Sequence, residues 1–200
     1  TLSLAYAIAH PGRVAGMVLR GVFLASDAEV AAYLSVLPDA WEGMGGMTVV
    51  EHVRALIEQG EPEPALAAAR RWWDYESRVM ALAERGSVGA PPPAEELVAS
   101  ARIQLHFLAH HCFLRPDELL DQLPRIGALP VIIVQGALDR VCPPAAAHAV
   151  AQRLPGAVLR MVAEGGHSAL QPAMARELCA ATAQMRGLLT SGAKNSAPAP

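Results

Sequence analysis

Val131-Ile132-Ile133-Val134-Gln135-Gly136-Ala137-Leu138-Asp139, and further on Ala157-Val158-Leu159-Arg160-Met161-Val162 with Gly165-Gly166-His167-Ser168 behind it, decide how this chain reads. Val131 to Gln135 and Ala157 to Val162 are short, β-branched and bounded by Pro or Gly, the pattern of buried parallel strands. Pro143 to Leu154 lies between them and reads as a helix. The order is therefore strand, Asp loop, helix, strand, His loop. In a parallel sheet both loops fall on the carboxyl-end edge, where open α/β sheets place their chemistry. An acid that orients a histidine is half of a catalytic triad.

The chain order of hydrolase triads on such sheets, nucleophile then acid then histidine, puts the nucleophile earlier in the sequence. No Gly-x-Ser-x-Gly occurs in it. The opening, Thr1-Leu2-Ser3-Leu4-Ala5-Tyr6-Ala7-Ile8-Ala9-His10-Pro11-Gly12-Arg13-Val14, reads as the body of the helix that follows a nucleophile elbow and leads into a strand at Gly16 to Arg20. The expectation is a fragment that starts just past the elbow. Such a fragment would be inactive alone and prone to aggregate, because its sheet would be open on one side.

His167 by itself is an ordinary loop residue, and Asp139 by itself is a helix N-cap ahead of Pro143. Their spacing gives them a joint meaning. His167 follows an apolar strand, lies 28 residues after Asp139 in a βαβ unit, and stands behind two glycines that permit close backbone approach. His167 is the candidate base, and Asp139 the residue that fixes its tautomer and stabilises the imidazolium.

Length and composition bound the remaining classes. Two hundred residues bury a sizeable core and support one domain plus an insertion. A net charge of −3 and a pI near 6.1 give no nucleic-acid or membrane footprint. Cys112, Cys142 and Cys179 are odd in number and lack CxxC spacing, which argues for a reducing, cytoplasmic setting. No signal peptide or apolar run of spanning length is visible.

Along the chain the order is core, insertion, core, tail. Residues 1–26 supply the first part of a doubly wound core, and residues 126–188 return to its strand and helix alternation. Residues 27–125 lack a convincing β run and are rich in Ala, Leu, Glu and Arg, with breaks at Pro38, Gly43 to Gly46, Gly60 to Pro64 and Gly86 to Pro93, so they read as a helical cap. Residues 189–200, small and polar, are expected to be a disordered tail.

The cap concentrates three aromatics and two carboxylates in Arg71-Trp72-Trp73-Asp74-Tyr75-Glu76. Composition leaves two readings open. Either the helix packs its aromatics onto a core while Asp74 and Glu76 face water, or the segment selects substrate. His106 and His110, one turn apart with Cys112 nearby, have a spacing that zinc accepts, but no third ligand stands at a recognisable metal spacing, so no metal and no cofactor are expected.

Thr1 to Ala7, His10 to Val14, Met17-Val18-Leu19-Arg20-Gly21, Trp72 to Glu76, Ala101-Arg102-Ile103, His106, His110, Asp139-Arg140-Val141-Cys142 and Gly166-His167-Ser168 together resemble the proline iminopeptidases, α/β-hydrolases that remove an N-terminal proline from peptides. The resemblance implies an α/β-hydrolase fold with an inserted helical cap, and a nucleophilic serine four residues before Thr1. It implies that Glu76 binds the substrate's free α-amino group, with Trp72 and Tyr75 as aromatic walls for the pyrrolidine ring. The family's second amine ligand, a glutamate, is matched here by Gln104, which keeps an acceptor oxygen but deletes a charge. Cys142, as in the family, is a thiol near the base whose modification would block the site. The expected partner is a short peptide with N-terminal proline. A broader aminopeptidase, amidase or esterase, or a non-catalytic truncated chain, stands as the alternative. The oligomeric state is not legible.

Overall fold

A computed structural model of the chain describes residues 1–42, 48–84 and 90–195. Its helices are α1 (Leu2–Ala9), α2 (Asp27–Leu34), α3 (Val49–Glu58), α4 (Pro62–Glu84), α5 (Ala94–Ala109), α6 (Glu118–Gln122), α7 (Pro144–Arg153) and α8 (Pro172–Asn195). Its strands are β1 (Met17–Arg20), β2 (Val131–Gly136) and β3 (Val158–Val162). The chain divides into two compact units, one of Thr1–Leu24 with Asp117–Pro200 and one of Ala25–Pro116.

The first unit is an α/β layer. The strands form one parallel sheet in the order β1-β2-β3, with Met17 opposite Val131 and Ile132 opposite Val158. β2 is central and every residue of it is buried, which explains its continuous apolar run. Ile132 and Val134 pack with Val162, Met174, Ala181 and Met185, so α8 covers that face. The strand's two-residue period turns Val131 and Ile133, also buried, to the other face. The parallel α/β arrangement anticipated from the two loops is present.

β3 departs from the expectation of a buried strand. Only Val162 is buried, and Val158 and Met161 are 39% and 41% exposed. Among the described residues β3 has β2 as its only strand neighbour, and its central Arg160 reaches out to Glu177 at 3.3 Å and Gln184 at 2.5 Å. α8 also runs on to Asn195, past the start of the expected tail at residue 189. Near its end the hydroxyls of Thr190 and Ser191 donate back to the carbonyls of Arg186 and Gly187. Residues 196–200 lie outside the described residues.

The second unit is helical. Ser26 and Thr48 start α2 and α3 with complete capping boxes, each hydroxyl accepting from the backbone of the glutamate three residues on. The interior is built from Val53, Ile57, Ala69, Trp72, Tyr75, Val79 and Leu105, contributed by α3, α4 and α5. The expected break at Gly43 to Gly46 and the start of the one at Gly86 to Pro93 lie outside the described residues.

Candidate active site

The strand-ending loops place Asp139 and His167 together. His167 Nδ1 stands 3.0 Å from Asp139 Oδ2. The Asp139 side chain is 2% exposed and that of His167 22%, so the acid is interior and the imidazole reaches the surface. The acid is fixed from its other side, since Oδ1 accepts from the backbone N–H of Val141 at 2.9 Å and of Cys142 at 2.8 Å. With Oδ1 held by two backbone N–H groups and Oδ2 against the imidazole, the plane of the carboxyl group is fixed.

The two loops are also tied by their backbones. Ala137 N–H donates to Val162 O and Leu138 N–H to Gly165 O, each at 2.9 Å. Gly136 is required where they meet, because a Cβ on it would stand 2.4 Å from the Gly166 carbonyl oxygen. Gln171 pins the His loop by accepting from Gly166 N–H at 2.6 Å and donating to Glu164 O at 3.0 Å.

Three residues of this site were not singled out from sequence. Arg20, at the carboxyl end of β1, donates to the His167 carbonyl oxygen. Gly21 follows it with φ +55°, and a Cβ there would stand 3.0 Å from His167 Cε1. Gln135, wholly buried on β2, donates to carbonyls of the Asp loop and lies 3.5 Å from Asp139 Oδ2. The available signal was a lone polar residue at the end of the Val131 to Val134 run.

Cys142 lies in the Asp loop, as expected. Its backbone N–H donates to Asp139 Oδ1, and its side chain is buried.

The second unit brings Glu76 and Gln104 together. Gln104 Nε2 donates to Glu76 Oε1 at 2.5 Å, while Gln104 Oε1 accepts from Trp72 Nε1 at 3.0 Å. The indole thereby fixes which end of the amide faces the carboxylate. Gln104, expected to offer its oxygen to a substrate amine, has that oxygen accepting from Trp72 and its NH2 turned to Glu76.

Trp72 and Tyr75 also sit differently from the expected aromatic walls. They are 1% and 0% exposed. Tyr75 packs edge-on to Tyr33 at 5.3 Å and against Trp41 at 4.6 Å, and its hydroxyl donates to the Tyr33 carbonyl oxygen. Burial pushes its phenol above the usual value, so it serves as a neutral donor. Of the two rings, Trp72 is the one tied to the Glu76–Gln104 pair, through its indole N–H. Asp74 faces solvent and makes a long contact with Arg78, at 3.8 Å.

His106 and His110 stand with ring centroids 4.4 Å apart, but His110 Nδ1 lies 2.7 Å from the His106 carbonyl oxygen and its ring stacks on Phe113. Cys112 sits in a turn whose residues 111–113 all have positive φ. Among the described residues no group of three or more His, Cys, Asp or Glu is placed to hold a metal ion. No helix among them is long and apolar enough to cross a membrane.

The chain is similar to several known proteins. A family model described as "TAP-like protein" matches residues 103–197. The chain is 32% identical to a proline iminopeptidase of Arabidopsis thaliana over 94% of its own length and 54% of the relative. It is 32% identical to one of Neisseria gonorrhoeae, covering 89% of this chain and 61% of the relative, and 31% identical to a probable proline iminopeptidase of Leptolyngbya boryana, covering 96% and 64%. The chain thus spans between half and two thirds of the length of these relatives. An esterase of Exiguobacterium antarcticum superposes with a TM-score of 0.52 at 19% identity, covering 92% of this chain and 62% of the esterase, which shows the fold alone.

Proposed function

We propose, for a chain of the α/β-hydrolase fold that is similar to the proline iminopeptidases over nearly its whole length, that the intact protein is a serine aminopeptidase releasing N-terminal proline from short peptides. The observation that carries this reading is the 3.0 Å contact between His167 Nδ1 and an Asp139 carboxylate already held by two backbone N–H groups. With Nδ1 engaged, the imidazole keeps Nε2 for proton exchange.

In the reaction, a serine on residues preceding Thr1 attacks the scissile carbonyl carbon and passes its proton to His167 Nε2. The imidazolium is stabilised by Asp139 and returns the proton to the leaving amine as the acyl bond breaks. Water then attacks the acyl-serine with the same histidine as base, releasing proline. Glu76 is proposed to receive the free α-amino group. A carboxylate is the partner an ammonium requires, and a blocked amine would forfeit the contact.

Gln104 favours a second reading. Where the resemblance implies a second carboxylate, this chain has an amide, and a single charge discriminates less against substrates without a cyclic secondary amine. A broader aminopeptidase, amidase or esterase on the same scaffold follows from that difference. The test is hydrolysis of proline, alanine and N-acetyl-proline arylamides and of a simple aryl ester by the intact protein. Preference for the free-proline substrate supports the first reading. Equal or better turnover of ester or blocked substrates transfers support to the second, and no hydrolysis of any of them overturns both.

A further inference from the structure

We propose that Gln135 is a positioning residue for Asp139, a staple that holds the acid loop 136–142 closed so that its carboxylate meets His167. The proposal rests on the reading of Asp139 as the acid that orients His167. Gln135 lies in β2, where every residue is buried, and is itself 0% exposed. Its Nε2 donates to the carbonyl oxygens of Gly136 at 3.1 Å and Cys142 at 3.0 Å, the two ends of the loop, with Asp139 Oδ2 at 3.5 Å.

All three neighbours are acceptors, so the amide has one workable orientation; a flip would set its oxygen against three oxygens. The other end of the amide counts against a packing role. Gln135 Oε1 is buried with no hydrogen-bond partner among the described residues. A buried unpaired acceptor is destabilising, and an apolar side chain of equal length would fill the space without it. What the amide supplies is on the donor side. It fixes the carbonyl of Cys142, whose own N–H is one of the two that hold Asp139 Oδ1, at 2.8 Å. The path runs from Gln135 through Cys142 to Asp139 and from there to His167, without Gln135 touching the imidazole.

The test is NMR on the intact protein, wild type against Gln135→Met and Gln135→Glu. In Gln135→Met, amide exchange at Val141 and Cys142 should rise about tenfold or more while Ile132 and Val134 stay within about twofold, as expected for local loop opening. The low-field proton of a His167 Nδ1–H bonded to Asp139 should broaden or vanish in the same variant. Gln135→Glu should move both readouts further at neutral pH, because its carboxylate would face three acceptors.

Exchange that is unchanged, or raised uniformly across the sheet, would overturn the staple. Should neither variant fold, the wild-type side-chain amide of Gln135 decides: both protons should exchange about a hundredfold more slowly than those of an exposed glutamine, and fast exchange overturns the proposal. If Asp139→Asn loses turnover while Gln135→Met leaves exchange unmoved, the staple fails and the reading of Asp139 stands. If Asp139→Asn keeps turnover, that reading fails on its own evidence.

Discussion

Asp139 and Glu76 each carry a carboxylate that meets a polar side chain, yet the chain builds the two differently. Asp139 is held by backbone, through the N–H groups of Val141 and Cys142 in a loop that closes a wholly buried strand. Glu76 accepts from a side chain, an amide that itself leans on an indole. A backbone cradle survives most substitutions around it and fixes the carboxylate in one plane, which suits a residue that must orient a base. A side-chain pair is retuned by changing one residue, which suits a residue that sets selectivity. On this account, changes in the first unit strike turnover, and changes in the second strike the choice of substrate.

The largest effect that would separate the two is His167→Ala. Loss of the base should lower kcat of the intact protein by roughly 10⁴ to 10⁶, with KM little changed. Steady-state kinetics on a proline arylamide measures it. A loss expressed mainly in KM would move His167 out of the acid–base role and break the contrast.

Glu76→Gln should act on selectivity instead. Removing a charge-assisted contact worth about 1.5 to 3 kcal/mol should cut kcat/KM for free-amine substrates by about ten- to a hundredfold. An N-acetylated substrate should be nearly unaffected. Equal losses on both would mean that Glu76 supports its own unit rather than reading an amine.

Gly21→Ala sharpens the comparison from the first unit. The residue has φ +55°, and its new Cβ would stand 3.0 Å from the imidazole, so the substitution should cost about 1 to 2 kcal/mol of stability and also displace His167. Thermal unfolding measures the first effect and kcat the second. A stability loss with unchanged kcat would show that the base tolerates movement.

Tyr75→Phe gives the smallest change, confined to the second unit. Losing the hydroxyl donated to the Tyr33 carbonyl should cost about 1 kcal/mol. Because burial raises the phenol's folded pKa above its ordinary value of 10.0, the folded state holds its proton more tightly than the unfolded chain. Wild-type stability is therefore full below about pH 10 and falls as pH rises above it. In Tyr75→Phe that alkaline decline should shrink, as denaturant melts at pH 9 and 11 would show.

The sheet was legible because β2 has the continuous apolar run that only a strand buried on both faces requires. β3 carries a similar run but ends up half exposed, since the number of strand neighbours is not written in the run itself. That Asp139 and His167 meet was legible from loop position, since the loops at the carboxyl ends of neighbouring parallel strands share one edge. Composition leaves the cap aromatics open between core and substrate wall and the resemblance points to walls, although a signal for core is present. Ala65, Ala68, Ala69, Trp72, Tyr75 and Val79 recur at helical spacing and are all buried, which marks Trp72 and Tyr75 as core. Gln104 binding through both ends of its amide was not readable, because it depends on how α4 and α5 are rotated against each other.

Turnover of a proline arylamide by Asp139→Asn in the intact protein tests the pairing of Asp139 with His167 most directly. The asparagine keeps the size of the acid but favours the wrong imidazole tautomer, so kcat should fall by about 10⁴ while the melting temperature changes little. A variant that folds normally and retains wild-type kcat would contradict the assignment of Asp139 and His167 as an acid–base pair.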